Sequence, residues 1–136
     1  MSQSAIAIAR ALHRAIEEGK HGEELRAHFT EDAVVVEHPN LVKPAGAVMS
    51  LEAMLEASKL GAGLLARQAY DLREATELED LAVLRLAWTG ELARDAGPFV
   101  EGQVLRARVA QFVGVRDGRI ARIETYDCYE PFEADG

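Results

Sequence analysis

Apolar positions recur at helical spacing from the start of the chain. Ala5, Ile8, Ala9, Leu12, Ala15 and Ile16 fall on one side, with Arg10, Arg14, Glu17 and Glu18 opposite, so residues 1–20 predict an amphipathic helix. Ser4 is placed to cap it and Gly19 to stop it. A shorter helical piece over Glu23–Phe29 sets Leu25 and Phe29 four apart and ends in the polar turn Thr30-Glu31-Asp32. The β-branched run Ala33–His38 then predicts a strand, stopped by Pro39-Asn40. Leu41–Pro44 reads as a short return strand, followed by a Pro44-Ala45-Gly46 turn. Ser50 caps a third helix carrying Leu51, Met54, Leu55 and Leu60, which Gly61 and Gly63 loosen or end.

Beyond residue 70 the pattern is extended: Tyr70–Leu78, Leu81–Leu92, Gln103–Val115 and Arg119–Tyr129. Asp117-Gly118 marks a tight hairpin between the last two, because a type I′ turn needs positive φ at both central residues. A strand as long as Gln103–Val115 reaches ~40 Å if straight, so in a small domain it must twist around something. Helices first and long strands afterwards predict an α+β fold, with the helices on one face of a mainly antiparallel sheet. Without repeat, low-complexity tract or linker, residues 1–136 are expected to form one domain.

Composition narrows the partners. Apolar residues make up 49% and charged residues 28% of the 136, a globular balance. The net charge of −8, with no Lys/Arg cluster, argues against nucleic acid. Aliphatic runs such as Ala33–Val36 are too short to span a bilayer and no secretory leader is evident, so neither membrane insertion nor export is expected. The lone cysteine, Cys128, cannot close an internal disulfide, and a reducing cytoplasmic location is the default expectation.

Two stretches are familiar. Leu25–Pro39, with its short helix, acidic turn and Val-rich strand ending at proline, resembles the helix-to-first-strand passage of SnoaL-like proteins of the nuclear-transport-factor-2-like superfamily. Val115–Tyr129 is similar to their final hairpin, in which an Asp-Gly turn leads into an Ile-containing strand ending in aromatic and acidic residues. The resemblance implies a cone-shaped, cystatin-like α+β barrel: a strongly curved sheet whose concave face holds the helices around one apolar pocket. It also implies a homodimer and a small apolar ligand. The family embraces cyclases, isomerases, hydrolases, dehydratases and members that only bind or assemble, so the fold does not choose the activity.

Candidate site residues follow from strand parity. Leu84, Leu86 and Trp88 share a face, so Trp88 either lines the pocket or packs in the core. His38 shares the face of Val34 and Val36, at the rim of an apolar wall, where an imidazole serves as acid or base; the alternative is a surface or hydrogen-bonded histidine. His13, His21 and His28 carry a weaker signal. In Tyr126-Asp127-Cys128-Tyr129, an aspartate stands among aromatics at the end of a strand, where aspartate is disfavoured. Turned inward, Asp127 gains a raised pKa and becomes a base for a proton next to a carbonyl; turned outward, it is a solvated edge residue. Tyr126 or Tyr129 would donate to the resulting enolate, and alternation puts only Tyr129 on the aspartate's side. Arg106 and Arg108 lie opposite Leu105, Ala107 and Val109, which makes them surface or interface residues unless their face is the pocket, where they would hold an anion.

No metal and no cofactor is expected. Gly61–Ala66 matches G-x-G-x-x-A but follows a helix instead of a strand, and neither a metal-ligand spacing nor a nucleophile elbow occurs. The leading expectation is a SnoaL-like enzyme doing cofactor-free acid/base chemistry, cyclisation or isomerisation of an apolar carbonyl compound, with Asp127 or His38 as base. Trp88, Tyr126, Tyr129 and Tyr70 would contact the substrate. A non-catalytic binding domain that uses Trp88 and Tyr70, or an assembly domain that uses the Arg106/Arg108 face, are the alternatives.

Overall fold

The computed structural model describes residues 4–132. Helix α1 (Ala5–Glu17) is capped as its sequence predicts, Ser4 Oγ accepting from the Ala7 N–H at 3.1 Å. Ala5, Ile8, Ala9, Leu12 and Ala15 are buried, and His13 is buried among them. The first three residues assigned to this helix on periodicity lie outside the described region.

The next helical piece is a 3₁₀ helix, Gly22–His28, that buries Leu25. Phe29 is not its last residue but the first of strand β1 (Phe29–Glu37). The expected turn at Thr30-Glu31-Asp32 therefore lies inside a strand, and the register against its parallel neighbour shifts between Phe29 and Val34. The bulge lets polar residues sit in extended backbone, with Thr30 donating to Asp32 at 2.8 Å and Arg116 closing on the same carboxylate at 2.6 Å.

Leu41–Pro44 is not a strand. Asn40 Oδ1 accepts from the N–H groups of Val42 and Lys43, both at 2.9 Å, so this segment folds on its own side-chain hydrogen bonds. The return strand is β2 (Ala47–Ser50), antiparallel to β1. Helix α2 (Leu51–Leu64) starts under the predicted Ser50 cap, runs through Gly61 and Gly63, and passes without a loop into β3 (Leu65–Leu78). The expected start at Tyr70 is thus too late: Leu65 already pairs with Leu92. Backbone pairing carries this stretch, whose Ala66, Arg67 and Gln68 show no apolar alternation.

Strands β4 (Leu81–Leu92), β5 (Val104–Arg116) and β6 (Arg119–Tyr129) match their predicted extents closely. Asp117 (φ 53) and Gly118 (φ 77) make the β5–β6 turn with positive φ at both positions, as expected. The six strands form one sheet in the order β2-β1-β6-β5-β4-β3, antiparallel except for the β1–β6 pair. This is the expected α+β architecture. Register shifts at Leu65/Arg67, Leu72/Glu74 and Gly114/Val115 accompany its long strands, as bulges do in curved sheets. Leu84, Leu86, Val109, Val113 and Ile123 belong to the same buried core as the apolar faces of α1 and α2. Among the described residues no helix is long and apolar enough to cross a membrane.

Candidate functional site

The floor of the site is a set of cross-strand rows. One row runs Tyr70–Trp88–Ala107–Tyr129 across β3, β4, β5 and β6, the next Leu72–Leu86–Val109–Asp127, and beyond it Gln111 faces Thr125. These residues occupy the inward parity positions of their strands, so their polar members meet on one surface. All of them but Leu72 and Leu86, together with Gln68, bound a cavity of about 210 Å³. Asp127, Tyr129, Tyr70 and Trp88 are therefore brought together.

Trp88 is held from several sides. Its Nε1–H donates to Gln68 Oε1 at 3.0 Å, and its ring meets Tyr129 edge-on at a centroid distance of 6.0 Å. The indole also lies over Gly90, where an added Cβ would come within 2.5 Å of the ring. The tryptophan is both partly buried against the core and part of the cavity wall, so the two readings of its sequence position merge.

Burial pushes the Asp127 carboxyl above its ordinary range, and the nearby Glu37 charge adds to this. Thr125 Oγ1, donating to Asp127 Oδ1 at 2.7 Å, and the Lys43 ammonium work in the other direction. Burial followed by the Asp127 charge also pushes up the hydroxyls of Tyr70 and Tyr129, which stay protonated and available as donors. A carboxylate that binds protons more readily than usual, beside phenols that keep theirs, is a base with donors at hand.

Glu37 joins the site with no signal in the sequence to mark it. It ends β1, lies on the inward parity of Ala33 and Val35, and is only 14% exposed at its side chain. Lys43 (3.2 Å) and Asn40 (2.9 Å) hold its carboxylate. The Leu41–Pro44 loop thus supplies, in Lys43, the cation that balances a second acid near Asp127.

His13 is a buried member of the same site. At 2% exposure it stacks on Tyr70 with ring centroids 4.5 Å apart. The Arg10 guanidinium, which can only donate, sits 3.2 Å from Nδ1, so Nε2 carries the proton and donates to Gln111 Oε1 at 2.9 Å. Burial lowers its pKa from 6.5 to about 4, against the Gln111 hydrogen bond and with the help of the Arg10 charge, leaving it neutral. The signal was its place four residues after Ala9 on the apolar stripe.

His38 and Tyr126 are not in the cavity. Ala33 and Val35 face the core, so Val34, Val36 and His38 face out, the reverse of the assumed parity. A run of three valines gives no contrast between faces, which is why alternation alone misplaced the imidazole. His38 Nε2 lies 2.7 Å from Glu124 Oε2, and its ring stacks on Tyr126 at 4.1 Å. Tyr126 is on the face opposite Asp127, as alternation predicted, and its hydroxyl reaches Glu124 at 3.3 Å. Arg106 and Arg108 are exposed on this outer face, and Arg108 lines a groove there with Arg73, Arg85 and Tyr126. Among the described residues no group of three or more His, Cys, Asp or Glu is arranged to hold a metal ion.

The fold has many solved counterparts. IdmH, a candidate polyketide cyclase from Streptomyces antibioticus, superposes with a TM-score of 0.76 at 20% identity, covering 92% of each chain. AclR, a candidate hydroxylase from Streptomyces galilaeus, gives 0.74 at 14% identity over 90% of this chain and 74% of its own. A protein with a ketosteroid isomerase-like fold from Catenulispora acidiphila, solved with trimethylamine, gives 0.69 at 18% identity over 88% and 83%. At these identities the likeness is one of fold. No curated protein matches the sequence. Residues 9–123 match the SnoaL-like domain, and the chain belongs to that family.

Proposed function

We propose that this protein is a small-molecule enzyme that moves a proton on a carbonyl compound without a cofactor, with Asp127 as the base. The observation that carries this reading is the inward Asp127 carboxyl, its proton affinity raised by burial, in one cavity with the Tyr129 and Tyr70 hydroxyls. Asp127 takes a proton from the carbon next to the carbonyl, and the electron pair moves onto the carbonyl oxygen. A tyrosine hydroxyl donates to that enolate oxygen. The enolate carbon then attacks a second carbonyl carbon, closing a ring, and the new alkoxide takes the proton held by Asp127; where a C=C is conjugated with the enolate, the γ-carbon instead takes that proton back, completing an isomerisation. The cavity, about 210 Å³, lies below the ~300–1,000 Å³ of drug-sized pockets and suits a compact substrate or the reacting end of a larger one. His38, on the other side of the sheet, has no part in this scheme.

The same reading includes pairing with a second copy of the chain through the outer sheet face, supported by the family resemblance and by Tyr126, 41% exposed, and its edge-on partner Phe112.

The test uses 2-heptanone in deuterated water, with exchange of its α-protons followed by NMR. The wild-type protein is expected to catalyse exchange, Asp127→Asn to abolish it, and Tyr129→Phe to reduce it about 10²-fold. Exchange at wild-type rate in Asp127→Asn would remove Asp127 from the role.

A further inference from the structure

We propose that Gln68 is a specificity-determining donor that reads a second oxygen on the ligand, at the end of the cavity away from Asp127. The inference rests on the cavity being the substrate site, and it names what that substrate carries besides its reacting carbonyl.

Chemistry settles the orientation of the Gln68 amide. The indole Nε1–H of Trp88 can only donate, so the atom 3.0 Å from it is the amide oxygen. The Gln68 NH₂ group therefore points elsewhere, and among the described residues no side chain or carbonyl accepts from it. Nor is it a sealed-off orphan, since no buried side-chain polar atom among the described residues lacks a partner. The NH₂ group thus opens onto space that a ligand can reach, and Gln68 lines the same cavity as Asp127. An amide whose oxygen is pinned cannot turn to accept, so this position recognises acceptors and rejects donors.

The register fixes where that acceptor must be. Gln68 pairs with Gly90, one row beyond Tyr70–Trp88–Ala107–Tyr129, while Asp127 ends the row on the far side. Gln68 and Asp127 thus sit at opposite corners of the floor, with the aromatic row between them. A ligand deprotonated at Asp127 places its remote end, not its reacting carbonyl, against Gln68. Gln68 and Tyr70 also line a second chamber of about 320 Å³ between the end of α1 and α2, so a longer ligand would pass Gln68 on its way there. The ligand class is a carbonyl compound with a second acceptor oxygen separated from the first by a short apolar segment.

The experiment compares 2,6-heptanedione with 2-heptanone, which share a chain length and differ by that oxygen. Binding is read from the emission of Trp88, the chain's single tryptophan. The dione is expected to bind about fivefold tighter to the wild-type protein, the worth of one net hydrogen bond. Gln68→Glu keeps an acceptor for the Trp88 N–H and loses the NH₂ donor; Gln68→Met loses both. In each folded variant the preference falls to about one. Equal binding of the two probes to the wild-type protein, or a preference that survives in both variants, would overturn the assignment. Asp127→Asn is expected to keep the preference, so a preference without proton exchange contradicts the catalytic reading alone, and exchange without a preference contradicts Gln68 alone.

Discussion

Burying an ionisable side chain ties stability to pH, and two residues of this site do so in opposite ways. His13 is neutral in the folded chain, with a pKa of about 4 against 6.5 for a free imidazole. Its contribution is complete above about pH 6.5 and is lost as pH falls toward 4, because the unfolded chain then binds a proton that the folded chain refuses. The gap corresponds to about 3 kcal/mol. Urea unfolding of His13→Gln across pH 4–7 is expected to show a shallower slope than the wild-type protein; equal slopes would contradict a neutral buried His13. Asp127 is the converse: its folded pKa is raised, so ionisation costs stability, a cost fully present above the folded pKa and lost as pH falls to the ordinary value of 3.8. Asp127→Asn should therefore melt higher than wild type at pH 7, with the difference closing toward pH 4, in scanning calorimetry. The pairing of Asp127 with Tyr129 on one face, and the exclusion of Tyr126, were legible because alternation from Ile123 to Tyr129 is regular. Gln68 was not legible as a site residue, since its role depends on what lies across the strand from it and not on its neighbours in sequence.

The elements that read clearly were those with a strong local signal: the α1 stripe, the Ser4 and Ser50 caps, and the long strands around Asp117-Gly118. Those that did not were elements made by pairing. Strand β2 alternates between half-buried and exposed residues over only four positions, and the start of β3 is polar. The glycines separate the two kinds of signal experimentally. Gly118 has φ 77, so Gly118→Ala is expected to destabilise by about 1 kcal/mol in urea unfolding. Gly61 lies inside α2 with nothing within 4 Å of an added Cβ, so Gly61→Ala should stabilise by roughly 0.5–1 kcal/mol. A destabilised Gly61→Ala would mean that the helix does not run through to Leu64.

At the level of the molecule, the curved sheet separates two environments that alternate along each strand. The inner face gathers Asp127, Tyr129, Tyr70, Trp88 and the two glutamines, and the outer face carries Arg106, Arg108, His38 and Tyr126. The family and the α+β class were legible from Leu25–Pro39 and Val115–Tyr129, while the side on which His38 falls was not, because the valines before it offer no contrast. Pairing through the outer face predicts a dimer in sedimentation at micromolar concentration that Tyr126→Glu reduces to a monomer; a monomeric wild-type protein would contradict it. The central claim is that the buried carboxylate inside the sheet is a working base, and the pH dependence of 2-heptanone α-proton exchange tests it most directly. The account predicts a rate that rises through a single ionisation above the ordinary aspartate value of 3.8 and is absent from Asp127→Asn. A profile unchanged in that variant, or no exchange by the wild-type protein at any pH, would contradict it.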